Sequence, residues 1–253
     1  MSFESHPVNS TIAPLRNVSL FSELVQRVVN RTPGLPGMAC FYGKSGYGKT
    51  HSAIYAANRY RAYHVQVKSV WTRKKLCAVI LQELGIQSAA TIPDMVDQIG
   101  QELSLSQRPL IIDEADFLVA KGMIEVIRDI YESSQGTIVL IGEENLPQKL
   151  KKWERVHGRM LDWVQAQPAS QSDARHLASL FCRGIEVADD LLAAVHDASA
   201  GSVRRICVNL DRIREQAEKI APDDPTGKGA MVKIGRANFT GELFTGNPPP
   251  RRP

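Results

Sequence analysis

Gly43-Lys44-Ser45-Gly46-Tyr47-Gly48-Lys49-Thr50 runs as a glycine, four residues, then Gly-Lys-Thr. That spacing suits a phosphate. The glycines let consecutive backbone N–H groups curl round an anion at the positive end of a following helix. Lys49 would supply a point charge to the terminal phosphates, and the Thr50 hydroxyl a ligand for Mg²⁺. Downstream, the apolar run Leu110-Ile111-Ile112 ends in Asp113-Glu114-Ala115-Asp116. A carboxylate at the carboxyl end of a buried strand is where a second contact to the magnesium shell belongs, which falls to Asp113, and Glu114 would orient or deprotonate an attacking water. Each segment alone also fits a plain alternative, a glycine-rich turn or a solvated acidic turn. Together they predict binding and hydrolysis of a nucleoside triphosphate.

Such a loop needs a strand before it and a helix after it. Met38-Ala39-Cys40-Phe41-Tyr42 is a short apolar run, and the stretch from Thr50 to Tyr60 has Ala53, Ile54, Ala56 and Ala57 at helical spacing. Tyr63 to Val67 alternates as a strand. Leu76 to Leu81 belongs to a helix closed by Gly85, and a further amphipathic helix covers about Ile92 to Leu105. Pro109 to Asp113 and Thr137 to Ile141 are buried strands with a helix, Met123 to Tyr131, between them. Strands alternating with helices predict an α/β fold, a parallel sheet sandwiched by helices. Residues 1–37 are expected to form a lead-in helix and linker, and 38–169 the α/β domain. Residues 170–221 are expected to form a small, all-helical lid, and the Pro- and Gly-rich 222–253 a loosely ordered tail with one short element around Val232 to Phe239.

Composition narrows the class. A chain of 253 residues, 43% of them hydrophobic, can bury a full core. No run approaches the apolar length of a membrane span and no secretory signal is evident, so the expectation is a cytoplasmic protein. Cys40, Cys77, Cys182 and Cys207 are widely spaced and are expected as reduced thiols rather than zinc ligands. A net charge of +4 permits nucleic acid without requiring it.

The pairing of Gly43–Thr50 with Ile112-Asp113-Glu114 resembles the AAA+ ATPase superfamily, and three later segments are similar to its signatures. The resemblance implies a polar sensor 1 after the strand Thr137–Ile141, assigned to Asn145 although Glu143 lies nearer the strand end. It implies an arginine finger, reaching a neighbouring subunit's nucleotide, in Trp153-Glu154-Arg155-Val156-His157-Gly158-Arg159, with Arg155 and Arg159 both candidates. It also implies sensor 2 at Arg204 of Gly201-Ser202-Val203-Arg204. ATP and Mg²⁺ are the implied substrate and cofactor.

Within that superfamily, Ile138 to Pro147 followed by Leu150, Trp153 and Arg155 resembles the phage Mu B transposition proteins and related target-selection ATPases, over about residues 10–215. This implies self-association into a ring or helical filament on duplex DNA, without base specificity, and recruitment of a transposase. Basic residues suited to backbone phosphates are Lys68 with Arg73, Lys74 and Lys75, then Lys121, then Lys149, Lys151 and Lys152. A replication-initiator or helicase-loader ATPase is the alternative within the superfamily, and a signalling or secretion-associated ATPase that never touches DNA is the alternative outside nucleic-acid biology.

Overall fold

In the computed structural model the described residues are 15–220 and 232–247. Contacts divide them into two units, one of residues 17–167 and one formed by Leu15, Arg16 and the described residues from Pro168 onward.

The larger unit is built on five parallel strands, β1 (Met38–Tyr42), β2 (Tyr63–Gln66), β3 (Leu110–Asp113), β4 (Ile138–Gly142) and β5 (Met160–Gln165), ordered β2-β3-β4-β1-β5. Side chains alternate between the two faces of a strand, so each strand feeds two cores. On one face Cys40, Ile112 and Leu140 pack with residues of α3 (Arg73–Leu84), α4 (Ile92–Ser106) and α6 (Ile124–Ser134). On the other, Phe41, Ile111 and Ile141 pack with α1 (Arg16–Val29) and α2 (Lys49–Tyr60). Asp113 shares the parity of Ile111, so its carboxylate is directed toward the α2 face of the sheet.

Local signals explain the helix limits. Thr72 caps α3 by accepting from the Lys75 amide, and Gly85 closes it at φ 76°. Thr91 caps α4, accepting from Asp94, with Pro93 in the first turn. On α2 the buried residues are Ser52, Ala53 and Ala56, whereas Ile54, counted in the apolar pattern, is 40% exposed. Three short helices complete the unit: α5 (Asp116–Ala120), α7 (Leu146–Leu150) and α8 (Glu154–His157). Strand β5 escaped sequence reading, because residues 160–164 are only half-buried and Asp162 interrupts any alternation.

The second unit has three helices, α9 (Gln171–Phe181), α10 (Asp189–Ser199) and α11 (Val203–Ile220). Ser170 opens α9 with a capping box to Asp173. The all-helical expectation for 170–221 is corrected by β6 (Ile185–Val187), which pairs in parallel with β7 (Val232–Ile234). Three residues of ladder are too short to show a period. The described part of the expected loose tail is therefore held: Lys233 pairs with Glu186 at 2.7 Å, and the Phe244 amide donates to Oδ1 of buried Asn209. The rest of that tail lies outside the described residues.

Candidate functional site

After Tyr42 the chain turns through Gly43–Gly48 into α2. Gly46 and Gly48 stand at φ +86° and +83°, a region costly for any residue with a Cβ, which lets the loop curl back on itself. Lys49, the first residue of α2, donates from Nζ to the carbonyls of Gly43 at 2.6 Å and Lys44 at 3.0 Å, so its ammonium lies across the loop.

Thr50 follows, and its hydroxyl donates to Asp113 Oδ2 at 2.7 Å. Asp113 is 2% exposed, and its other oxygen accepts the Glu114 amide at 2.8 Å. Two residues separated widely in sequence thus set hard oxygen ligands side by side, a donor set that fits Mg²⁺. Glu114 is held at φ +58°. A left-handed glutamate persists only where its surroundings hold it, and such strain clusters at functional sites. The Asp113 contact before it and the Ala115 amide bonded to the Ile141 carbonyl after it do the holding.

The charges are mutually tuned. Burial pushes the Lys49 ammonium below its ordinary pKa, against the opposing pull of Asp113, Glu114, Glu143 and Asp116. Burial, and then the Asp113 charge, push the Glu114 carboxyl up, while Lys49 opposes them. Glu143 is therefore within electrostatic reach of both Lys49 and Glu114. Asn145, the residue assigned to sensor 1, stands exposed at the start of α7 and makes no capping bond with its side chain.

Of the arginine candidates, Arg155 is exposed on α8, and Arg159, immediately before β5, bonds Glu132 of α6 in the same subunit. Arg204 lies in the second unit, exposed in the first turn of α11.

The basic residues redistribute. Lys121 donates to the Trp71 carbonyl at 3.2 Å and Arg73 to the Gly122 carbonyl at 3.4 Å, so Lys121 joins the cluster that Arg73 shares in sequence with Lys68, Lys74 and Lys75, all of them exposed. Lys151 and Lys152 are exposed beyond α7. Lys149 differs from them: its ammonium is bonded to Asp116 Oδ1 at 2.6 Å, so its charge is paired within the subunit. Asp116 is the residue that sequence reading passed over. Its signal was a third carboxylate opening a helix three residues after Asp113.

A family model described as AAA domain matches residues 33–150. No curated protein matches the chain. The Orc1 protein of Aeropyrum pernix, solved in complex with DNA, superposes with a TM-score of 0.60 at 18% identity, over 85% of this chain and 63% of that one. The fold is of the P-loop AAA+ type. The Aeropyrum pernix Orc2 protein in its ADP form gives a TM-score of 0.63 at 16% identity, over 86% and 68% of the two chains. Domain III of the Thermotoga maritima replication initiation protein DnaA gives 0.54 at 17%, over 89% and 95%. This chain thus spans a little under two thirds of the Orc1 protein.

Proposed function

We propose that the chain is an ATP hydrolase that works on duplex DNA as assembled subunits, with replication initiation or helicase loading as the setting. The observation that carries the enzymatic part is the Thr50–Asp113 hydrogen bond beneath Lys49, with Glu114 held alongside. Lys49 and the loop amides would hold the β and γ phosphates. Thr50 and Asp113 would hold Mg²⁺, which neutralises charge on the transferring phosphoryl group. Glu114, its carboxyl raised by burial and Asp113, is suited to take a proton from the attacking water.

The joined patch of Lys68, Arg73, Lys74, Lys75 and Lys121 supports the DNA part, because clustered cations on one face suit backbone phosphates. The likeness to a domain of a replication initiation protein, and to a protein solved in complex with DNA, favours that setting over transposition. The run from Ile138 to Arg155 keeps the transposition reading as a second one, in which the bound subunits recruit a transposase.

ATPase turnover measured with and without random duplex DNA tests the proposal. Turnover that rises with DNA, with binding that weakens steeply in salt, is expected; ATPase activity with no affinity for DNA at low salt would return the chain to the signalling or secretion class. Loading of a replicative helicase against stimulation of a transposase then separates the two DNA readings.

A further inference from the structure

Asp116 is a buried residue and both of its carboxylate oxygens are in use. Oδ2 accepts the Glu143 amide at 2.7 Å and Oδ1 accepts the Lys149 ammonium at 2.6 Å. Both partners are distant in sequence, one at the end of β4 and one on α7. We infer that Asp116 is a positioning residue for hydrolysis, clamping the end of β4 and α7 against the turn that carries Glu114. This rests on the reading of the site as one that hydrolyses ATP.

Three independent features point to the clamp. An acid in the first turn of a helix ordinarily faces its own amides, but this side chain turns away from α5 to another strand. Gly142 lies beneath it, and a Cβ there would overlap Asp116 Oδ2 and the Leu146 side chain. The close approach thus depends on glycine at the last residue of β4. Lys149 keeps 43% of its side chain exposed yet carries its ammonium to a carboxylate only 11% exposed, a charge-assisted bond in a place where the carboxylate would otherwise be stranded.

The clamp acts on chemistry through geometry. Glu114 is two residues before Asp116, in a backbone conformation that its flanks must maintain. The Asp113 carboxylate holds one flank. On the other flank Asp116 adds to the Ala115–Ile141 backbone bond, and it does so against the same β4 end that brings Glu143 toward Lys49 and Glu114. Displacing a catalytic group by about an ångström costs on the order of 10²-fold in rate. Binding of the nucleotide is carried by the loop and Lys49, and the loop meets this junction through the backbone bond of the Gly43 amide to the Gly142 carbonyl, a bond the Asp116 side chain does not make.

The test uses the full chain and measures steady-state ATPase, affinity for a fluorescent ATP analogue, and the thermal unfolding midpoint. Asp116→Ala is expected to lower kcat by about 10²-fold while nucleotide affinity changes by less than about threefold. Asp116→Asn keeps an acceptor for the Glu143 amide and should recover part of the loss. Gly142→Ala should lower kcat as well, since its Cβ would displace the Asp116 carboxylate and Leu146. Lys149→Met leaves the carboxylate in place without its counter-charge and should lower kcat with nucleotide affinity kept. Parent kcat in Asp116→Ala, or a loss that appears only in nucleotide affinity, overturns the inference. Should Asp116→Ala fail to fold, parent kcat in both Asp116→Asn and Lys149→Met overturns it instead. A parent protein that binds ATP but hydrolyses none overturns the reading of the site on which the clamp depends.

Discussion

At the scale of single residues, the proposed hydrolysis would divide the work between metal at Thr50 and Asp113 and water at Glu114, and substitution should separate the two. Glu114→Gln preserves shape and removes the base, so ATP binding is expected to persist while hydrolysis falls by about 10²-fold or more. Lys49→Ala removes the cation lying across the loop and should abolish nucleotide binding itself. Titration with a fluorescent ATP analogue alongside turnover distinguishes the two, and a Glu114→Gln protein that hydrolyses at the parent rate would remove the base assignment. The glycine loop and the Asp-Glu pair were legible in the sequence because each motif is local and each residue type has few other uses. Asp116 and Lys149 were not, since their bond spans 33 residues and joins two side chains that look like ordinary surface charges. Its place in a basic cluster after β4 makes Lys149 read as a DNA contact, and nothing in the sequence marks its bond to Asp116.

Among the elements, α8 and the residue before β5 carry the two candidates for an arginine that acts across a subunit boundary. Arg159 is held by Glu132 of its own chain, whereas Arg155 is exposed, so Arg155 is the better placed to reach across a boundary. Mixing Arg155→Ala protein with Lys49→Ala protein should restore part of the turnover, since one partner brings an intact loop and the other an intact arginine. The isolated Arg155→Ala subunit should keep its ATP affinity, and a fall there would put the arginine in its own pocket. In the second unit, the side-chain amide of Asn209, fully buried, donates to Ser199 Oγ and the Phe244 carbonyl while its oxygen accepts the Phe244 amide. Ending the chain at residue 231 would strand that amide, at a cost of about 1–3 kcal/mol. The unfolding midpoint should drop by roughly 5 °C or more, and an unchanged midpoint would show the segment to be an ornament of the unit. The strands of the central sheet were legible where the apolar run is continuous, as in β1, β3 and β4, or where residues alternate cleanly, as in β2. Half-buried β5 and the short β6 carried no such signal, because their pairing depends on partners that are far away in the sequence.

For the whole molecule, the question is how much of the basic face meets phosphate. If Arg73, Lys74 and Lys75 each neutralise one, changing all three to Ala should flatten the plot of log affinity against log salt by roughly 2 to 3 per subunit, equally for unrelated sequences. A slope equal to the parent's would show these side chains to be merely solvated. That Lys121 belongs to the same face was not legible in advance, since it takes a turn after α5 meeting the loop before α3 to bring them together. The sheet order has a different bearing, on how the chain is made. β1, which carries the phosphate loop, pairs only with β4 and β5, both of which lie about a hundred residues or more further along. At synthesis rates of about 5–20 residues per second, the β1 segment waits on the order of 5–20 s after emerging before either neighbour exists. During that interval Met38-Ala39-Cys40-Phe41 is an unpaired apolar strand. The order of the strands thus makes the nascent chain a client for anything that shields such segments, and makes completion of the nucleotide loop one of the last events in the birth of this unit.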